Sequence, residues 1–515
     1  MTDFSPAFSP APARWSGLAA STSSTEHARR LVVRRVVATG DWVLDAPLHL
    51  GASDESDVDL PLLSTLPMDG TAPRPLLPGA TLAGALRSYL RSLDLGDRRA
   101  FEKQDLLQEQ DLLATKLFGG LREDDAGLPS LVEVDDAVGV LPTGAAAELR
   151  TGVSLNPQTH TAQQEGLYDF EVWPAGTRFP LCLELVLLQD LEKDAQKQLK
   201  EGFGLVLDAL ARGEISLGLR KNRGFGRGTV GAWHVQTFDL TTANGMLAWL
   251  GRDDSAPGSP VDNVFHALGV PPPPEASLRR PRRLRLDATF ALDGSLLMRG
   301  ADAPSASSPD NVHLHAYRPE KGRTPVVPGT GVAGALRARA SRILRVLGAD
   351  DRVVAKKIND LFGSNVKGQL TGSRLLTHEH ALEHVESGLV HARVSIDRFT
   401  GGALDTALFD EQAVWGLSLD ESALSLRIDL LNASEADAGL LLLLLKDLWT
   451  GDLTLGGQRS VGRGRLRGLS ATVAYNGAQW TLRPDVAAHL SDADRDAMQA
   501  CVDALRNELH PSDAS

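Results

Sequence analysis

The chain has 515 residues, of which 42% are hydrophobic and 23% are charged. At roughly 100 to 200 residues per domain, this length predicts about two to four domains rather than one compact core. The balanced composition excludes the fibrous and the disordered classes of protein. Two widely separated cysteines, Cys182 and Cys501, exclude a disulfide framework and indicate a reducing compartment.

The formal net charge of −13 argues by itself against nucleic acid as a partner, because proteins that bind phosphate chains usually carry a basic excess. The charge is unevenly distributed, however. Basic residues cluster in LRKNRGFGR at 219–227, LRRPRRLR at 278–285 and RSVGRGRLR at 459–467. Basic loops of this kind on an acidic body can still follow a phosphate chain.

The beginning of the chain is rich in Ser, Pro and Ala and has no apolar core of the kind found in signal peptides, so residues 1–27 predict a flexible arm. The longest apolar run, the six leucines at 440–445, is far shorter than the roughly 20 residues that cross a bilayer. We therefore expect a cytoplasmic protein with no membrane partner.

From residue 28 onward the predicted order is strand, loop, helix, strands, helix, strand and glycine-rich loop. A strand at 28–44 precedes a polar loop, and the next helix begins after Pro78-Gly79 with the sequence GATLAGALRSYL. Strands surround VSL at 153–155, and a helix at 191–212 leads into GLRKNRGFGRG at 218–228. Residue alternation supports the strands, and apolar periodicity supports the helices.

The same blocks recur in the same order in the second half of the chain. LLPGATLAGALRSYLRSL returns as VVPGTGVAGALRARASRI, KLFGG as DLFGS, and the VSL block as VSI at 394–396. GEISLGLRKNRGFGRG returns as GDLTLGGQRSVGRG at 451–464, which we align with two residues fewer, so that Val461 stands near the place of Phe225. Ser434 and Asp437 indicate a capping box at the second helix of this copy. Repetition at a fixed spacing indicates duplicated units.

The predicted fold is α+β, with two ferredoxin-like (RRM-like) domains in tandem. Pro, Gly and Ser interrupt the pattern between the copies, where four consecutive prolines favour an extended path. The predicted parts are a flexible arm at 1–27, a first domain at 28–245, a Pro-rich linker at 246–279, a second domain at 280–475, and a C-terminal helix and tail at 476–515.

Each Pro-Gly step opens a helix whose free N–H groups and dipole favour an anion such as phosphate. A glycine at the helix start allows the anion to come close, and an arginine follows about two turns later. The alternative is that Gly84 and Gly334 merely let each helix pack against its sheet. The glycine-rich loops add basic residues and Phe225, an aromatic residue suited to stacking on a base. On these grounds the candidate nucleic-acid-binding residues, which the resemblance described next assigns to RNA, are Gly79, Thr81, Arg87, Arg220, Lys221, Arg223, Phe225, Arg227, Gly329, Arg337, Arg459 and Arg463.

Together, LPGATLAGALR, KLFG, SIDRFTGGALDTALFDEQ and GLRKNRGFGRG resemble the RAMP superfamily of CRISPR-associated proteins, most closely the backbone subunits of type III effector complexes. The resemblance implies two RAMP domains, each with a β-hairpin thumb and a glycine-rich loop. It also implies three partners, namely guide RNA (crRNA), complementary target RNA and other effector subunits. Asp397 and Arg398 match the thumb pattern and join the predicted RNA-binding residues, whereas Asn156 and Pro157 replace them in the first copy.

The resemblance further implies metal-dependent cleavage of the target RNA by an Asp in the loop before each Pro-Gly helix. DVDLPLL supplies Asp59, with Asp54 and Asp57 as alternatives, and SSPDNVHLHAYRPE supplies Asp310. Both aspartates are predicted catalytic and metal-binding residues. A carboxylate there is suited to Mg²⁺ or another divalent cation, which would orient the 2′-hydroxyl for attack on the phosphate.

Two other functions remain open on the sequence. The chain is alternatively a structural or capping crRNA-binding subunit without an active site, or a metal-independent crRNA-processing ribonuclease that uses histidine. The histidine pairs are interpreted as surface residues, because no H-E-x-x-H motif or Cys partner accompanies them. These pairs are His313 with His315 and His378 with His380.

Overall fold

A computed structural model describes most of the chain. The described residues are 31–52, 58–65, 73–95, 112–120, 129–155, 162–253, 258–278, 280–300, 308–364, 370–484 and 490–510. The predicted arm at 1–27 lies outside them, as do Asp54, Asp57, Asn156 and Pro157.

The first repeat contains ten strands and five helices among its described residues. The strands are β1 (Val32–Leu44), β2 (Ser64–Thr65), β3 (Arg74–Leu77), β4 (Val132–Val134), β5 (Ala137–Val138), β6 (Glu148–Leu155), β7 (Ala162–Val172), β8 (Arg178–Leu188), β9 (Gly228–Val230) and β10 (His234–Asp239). The helices are α1 (Gly79–Leu95), α2 (Leu113–Phe118), α3 (Lys193–Ala211), α4 (Ala243–Leu250) and α5 (Val264–Ala267).

The second repeat has corresponding elements. Its described strands are β11 (Arg283–Asp293), β12 (Ser295–Leu296), β13 (Asn311–Val312), β14 (His315–Arg318), β15 (Gly322–Val327), β16 (Leu375–Thr377), β17 (His380–Ala381), β18 (Val385–Glu386), β19 (His391–Ile396), β20 (Ala403–Gln412), β21 (Val414–Gly416), β22 (Leu424–Leu431), β23 (Arg465–Tyr475) and β24 (Ala478–Leu482). Its described helices are α6 (Gly329–Val346), α7 (Asp351–Phe362), α8 (Glu435–Trp449) and α9 (Asp492–Leu509).

Each repeat is built on an antiparallel sheet with the same strand order. The first sheet runs β4-β8-β1-β10, with β9 also paired to β1, and the second runs β16-β22-β11-β23-β24. In both sheets the first strand of the repeat, β1 or β11, is central. Helix α1 or α6 comes after that strand in the chain, and helix α3 or α8 comes after the third strand of the sheet, β8 or β22. This is the ferredoxin-like order, so the predicted tandem α+β fold is confirmed.

The hydrophobic core of each repeat lies between the sheet and its helices. Leu82, Leu86 and Leu90 recur every four residues on α1 and are buried, as the spacing of one helix face requires. They share a core cluster with Phe203 of α3 and Leu183 of β8. Burial of each leucine contributes on the order of 1.5–3 kcal/mol to folding.

Two predicted boundaries need correction. Within the predicted linker, Val264, Phe265 and Leu268 pack into the core of the first repeat. The Asn263 side chain caps the short helix α5, which carries Val264 and Phe265 and ends just before Leu268. The C-terminal helix exists, but it is not separate, because Cys501 and Leu505 of α9 belong to the core of the second repeat.

The second helix of the second repeat begins as the sequence predicts. The Ser434 hydroxyl accepts from the backbone N–H of Asp437, and the Asp437 carboxylate accepts from the N–H of Ser434, which is the reciprocal capping box. Asp437 is also buried beside Arg374 and Lys357, so the cap is tied into a charge network as well.

The two repeats are joined by buried charged groups. Glu379 of the second repeat pairs with Arg150 of strand β6 at 3.3 Å and with Arg318 at 2.7 Å, and its side chain is fully buried. Burial disfavours the charged carboxylate, but the two guanidinium groups outweigh it and lower the pKa of Glu379. Removal of Arg150 would take away the partner that Glu379 has in the first repeat, so this buried pair helps to hold the two repeats together.

Candidate nucleic-acid interface

Asp59 and Asp310 occupy equivalent places in the two repeats. Asp59 Oδ2 accepts from the backbone N–H of Asp169 at 2.9 Å, and Asp310 Oδ2 accepts from that of Asp410 at 2.9 Å. The thumb hairpin consists of β6 and β7 in the first repeat and of β19 and β20 in the second. The residue after each aspartate, Leu60 or Asn311, pairs in parallel with the second strand of this hairpin, β7 or β20. Both aspartates are exposed. The proline that precedes Asp310 therefore does not alter the correspondence, since the thumb strand fixes the loop.

The two aspartate loops offer carboxylate oxygens but no preformed cage. Among the described residues, no group of three or more His, Cys, Asp or Glu side chains stands close enough to hold a metal ion. Asp169 Oδ1 is buried and makes no hydrogen bond within the described part of the chain. Each loop thus provides one carboxylate, that of Asp59 or Asp310. The residue whose N–H donates to it, Asp169 or Asp410, carries a second carboxyl group.

Gly79 and Gly329 are required by packing within the protein. A Cβ on Gly79 would overlap the carbonyl oxygen of Val134, and one on Gly329 would overlap that of Arg223. The N–H of Gly79 also donates to Asp136 Oδ1 at 2.7 Å. The start of α1 therefore already has an anionic partner, which differs from the predicted phosphate-binding role of this glycine.

Two predicted RNA-binding arginines meet at the C-terminal end of α7. Arg337 donates to the carbonyl of Gly363 at 3.0 Å, and Arg223, from the first repeat, donates to that of Phe362 at 2.8 Å. Carbonyl groups and the helix dipole make this end attractive to cations. Burial, and then the charge of Arg337, lowers the pKa of Arg223 to about 10, and burial lowers that of Arg337. Both side chains are thus committed to internal contacts.

The glycine-rich loops superimpose without a gap, which corrects the alignment made from the sequence. Each loop has a residue with positive φ, a short 3-10 turn and a glycine with positive φ. Arg220 (φ 57°) corresponds to Gln458 (φ 58°), and Gly224 (φ 91°) to Gly462 (φ 85°). Arg463 therefore occupies the place of Phe225, and Val461 that of Arg223. The repeated GRG letters had suggested a shift by two residues.

The place held by Phe225 and Arg463 is an interior position in both repeats. Phe225 is only 2% exposed and packs on Phe170, with ring centroids 6.0 Å apart. In the second repeat, Arg463 pairs with Glu411 at 2.8 Å, and Glu411 stands where Phe170 does. One repeat thus has an aromatic pair and the other a buried ion pair. Base stacking by Phe225 is not compatible with this burial.

The residue before each 3-10 turn, Arg220 or Gln458, also contacts this interior pair. The Arg220 guanidinium lies 4.2 Å from the centre of the Phe170 ring and 5.0 Å from that of Tyr168, so it makes cation–π contacts. Its counterpart, Gln458, donates to Glu411. Arg220 is therefore also bound within its own repeat.

The remaining predicted residues are nearer to solvent. Lys221, Arg398 and Arg459 are exposed, and Thr81, Arg87 and Arg227 are partly buried. Asp397 accepts from the N–H of Phe399 at 2.7 Å, which lowers the pKa of Asp397, so this carboxylate shapes the thumb turn. Phe399, which was not among the predicted residues, is 96% exposed at the tip of the second thumb. An aromatic residue within the polar turn DRFTGG was the available signal.

Gly84 and Gly334 lie at equivalent, exposed positions on α1 and α6. A Cβ on either glycine would meet no atom within 4 Å. The alternative that they let the helices pack against the sheets is therefore wrong. Each glycine costs its helix roughly 0.5–1 kcal/mol relative to alanine, with no internal contact in return.

The histidine pairs are structural, and His313 is not a surface residue. His313 is fully buried, and its ring nitrogens contact the carbonyls of Val326 at 3.0 Å and Leu296 at 3.2 Å. Burial lowers the pKa of His313 to about 4 and that of His380 to about 3. His380 Nε2 accepts from the N–H of Arg427 at 3.2 Å. Neither ring is arranged as an acid–base catalyst for bound RNA.

His313 makes the stability of the protein dependent on pH. Its pKa is about 4 in the folded chain and near 6.5 when unfolded, so its contribution is complete above pH 6.5 and is lost as the pH falls toward 4. The free energy of unfolding should fall by up to about 1.4 kcal/mol per pH unit in this window. A plot of the free energy of unfolding, measured with urea, against pH should have a flatter slope for His313→Gln than for wild type, whereas exposed His266→Gln should keep the wild-type slope. Equal slopes for wild type and His313→Gln would contradict this role.

Within the described part of the chain, no helix is both long and apolar enough to cross a membrane.

Comparison with known proteins agrees with the duplicated fold. No curated protein matches the chain. The family model of the RAMP superfamily matches it twice, at residues 61–229 and 289–467, once over each repeat. Proteins of this family are CRISPR-associated RNA-binding subunits that generally bind crRNA and other subunits of CRISPR complexes. The chain therefore belongs to the RAMP superfamily, as two RAMP domains fused in tandem.

Proposed function

We propose that this protein is a backbone subunit of a type III CRISPR effector complex, which binds crRNA and cleaves complementary target RNA with a divalent metal ion. The observation that carries the proposal is the matched placement of Asp59 and Asp310, each held by an N–H of the second thumb strand at 2.9 Å. A carboxylate kept in the same exposed place in both repeats indicates one chemical role performed twice.

The chemistry of these two sites fits Mg²⁺, which prefers oxygen ligands and needs only one or two carboxylates beside water and phosphate oxygens. Asp59 and Asp310 would each provide a carboxylate, and buried Asp169 Oδ1 fits a further contact in the first repeat. When bound, the ion supplies positive charge to the phosphate under attack. The backbone N–H of Asp169 or Asp410 fixes one oxygen of the adjacent carboxylate and so orients it.

The exposed glycines support binding of an RNA backbone along α1 and α6. At Gly84 and Gly334 the helix backbone is open to close approach from outside, and no part of the described chain uses this space. On the first helix, Arg87 lies one turn further on and is partly exposed. A phosphate chain that crosses each helix at its glycine would explain why alanine, the better helix former, is absent from both places.

Substitution of Gly84 and Gly334 should change folding and RNA binding in opposite directions. Gly→Ala at both should raise the free energy of unfolding by about 0.5–1 kcal/mol per site, because alanine favours the helix. Affinity for guide RNA should fall several-fold, and roughly tenfold or more with leucine at both sites, because the added carbons occupy the space of the backbone. Fluorescence anisotropy with labelled guide RNA, beside urea unfolding, measures both effects.

Gly231 provides the matched control, because it is exposed and a Cβ there would also meet nothing within 4 Å. Gly231→Ala should leave the affinity for guide RNA unchanged. Full affinity of the double leucine variant would rule out an RNA path across these two glycines.

A structural subunit without an active site is the second candidate. The observation that favours it is that each aspartate already accepts a hydrogen bond from the second thumb strand, so a structural role in holding the thumb would also account for both carboxylates. The two candidates share guide-RNA binding and differ only in cleavage, so aspartate substitutions separate them. The packed histidines leave the histidine-dependent ribonuclease without support.

A further inference from the structure

The glycine-rich loop of the first repeat docks onto the second repeat. We call residues 220–227 the docked loop, and residues 361–363 and 373–379 the second seat. Arg223 donates to the carbonyls of Phe362 and Leu375, and the Asn222 side chain donates to that of Ser373 at 3.0 Å. A Cβ on Gly224 would come within 2.6 Å of the Cα of His378. The contact is therefore tight and is centred on one arginine.

The first repeat carries the same receiving surface, which we call the first seat (residues 117–119 and 130–136). The Ser130 hydroxyl donates to the carbonyls of Leu117 and Val132 at 3.2 and 2.7 Å. In the second seat, the Ser373 hydroxyl donates to those of Leu361 and Leu375 at 3.1 and 2.7 Å. The same hydrogen bonds connect the same two segments, so the seats share the backbone arrangement around Phe118 and Phe362. They differ beside the helix start, where the carbonyl of Val134 packs against Gly79 in the place that the carbonyl of Arg223 takes against Gly329.

The first seat is exposed and acidic. Ser130, Glu133, Asp135 and Asp136 are all exposed. At the positions of the three acidic residues, the second seat has Leu376, His378 and Glu379, of which only Glu379 is acidic. The first seat therefore attracts a cationic loop more strongly than the seat that is already filled.

The corresponding loop of the second repeat, residues 458–464, is also exposed, and we call it the free loop. Val461 stands where Arg223 does and is 57% exposed, and Gly462 faces open space where Gly224 contacts the second seat. A second copy of this chain would thus present a valine to the carbonyls that the arginine satisfies in the internal contact. A head-to-tail contact requires the loop of one copy to fit the seat of the next, and the free loop lacks the central guanidinium group.

We propose that the first seat binds the glycine-rich loop of a different RAMP chain, one that has arginine at the position of Arg223. Val461 prevents the free loop of a second copy from taking this place. The arginine of the partner would donate to the carbonyls of Phe118 and Val132, beside the carboxylates of Asp135 and Asp136. This inference concerns the order of subunits and does not depend on RNA cleavage.

The full chain with Val461→Arg provides the probe, because this change gives the free loop the missing guanidinium. In sedimentation velocity without RNA, wild type should behave as a monomer. Val461→Arg should associate through the first seat, with an association constant roughly tenfold or more above wild type, as one or two charge-assisted hydrogen bonds allow. Adding Asp135→Lys to Val461→Arg should reverse the association.

Ser460→Arg is the matched control, because it adds the same charge to the same loop, one residue away from the position of Arg223. It should remain monomeric like wild type. Three results would each overturn the proposal: wild type that already associates, Val461→Arg that sediments like wild type, or Ser460→Arg that associates equally well. All of these substitutions lie at exposed positions, so folding is expected to persist in every variant.

Discussion

Asp59→Ala should remove one of the cuts that the assembled complex makes in target RNA, and Asp310→Ala should remove another. A metal ion held by such a carboxylate supplies several kcal/mol of charge stabilisation, so the rate at the affected position should fall by about a thousandfold. The cut at the other position should remain, because each aspartate belongs to its own repeat. Gel mapping of end-labelled target RNA, with the protein reconstituted with crRNA and its partner subunits, resolves the two positions.

Asp59→Asn separates the metal role from a structural one. Asparagine can still accept the hydrogen bond from the N–H of Asp169, but it lacks the negative charge that a divalent cation requires. We expect Asp59→Asn to lose the same cut as Asp59→Ala, whereas Asp420→Ala, at an exposed carboxylate on another loop, should lose none. Intact cutting by the variant with both Asp59 and Asp310 replaced would leave the non-catalytic subunit as the remaining function.

Arg463→Phe should destabilise the second repeat by about 1–3 kcal/mol, because the buried Glu411 carboxylate loses its buried partner and keeps only Gln458 and the partly exposed Arg393, at 3.0 Å. Glu411 is 1% exposed and Arg463 is 2% exposed. The first repeat has Phe170 and Phe225 at the same places, with Arg220 above the Phe170 ring. The second repeat with Glu411→Phe, Gln458→Arg and Arg463→Phe together should therefore recover most of the lost stability.

Urea unfolding, followed for the transition of the second repeat, measures this recovery. The reverse substitution, Phe225→Arg alone, is the matched control and should destabilise the first repeat by burying an unpaired charge. Arg463→Phe with wild-type stability would show that the ion pair is dispensable. A triple variant no more stable than Arg463→Phe would show that the two interiors are not interchangeable.

The sequence was informative where the signal is local or repeated. The Pro-Gly helices, the capping box at Ser434 and the duplicated strand order follow from short patterns that recur. The equivalence of Asp59 and Asp310 was also found, since both loops occupy the same place in the repeat. These features depend on residues that are near each other in the chain.

The sequence failed where the decisive contact is distant along the chain. Nothing near Gly329 indicates that the carbonyl of Arg223 packs against it, and nothing near Phe225 reveals Phe170. A glycine-rich basic loop is compatible both with RNA binding and with docking onto a neighbouring domain. Only the three-dimensional arrangement separates Arg223, which caps a helix, from Lys221, which is exposed in the same loop.

The RNA that accompanies the protein in cells shows whether it holds a guide. The chain would be purified from cells that also express a CRISPR repeat-spacer array and its partner subunits, and the bound RNA would be sequenced. We expect strong enrichment of spacer-containing RNA and its loss when Gly84 and Gly334 are both replaced by leucine. Bound RNA that reflects total cellular RNA, or none at all, would contradict a role in holding the guide.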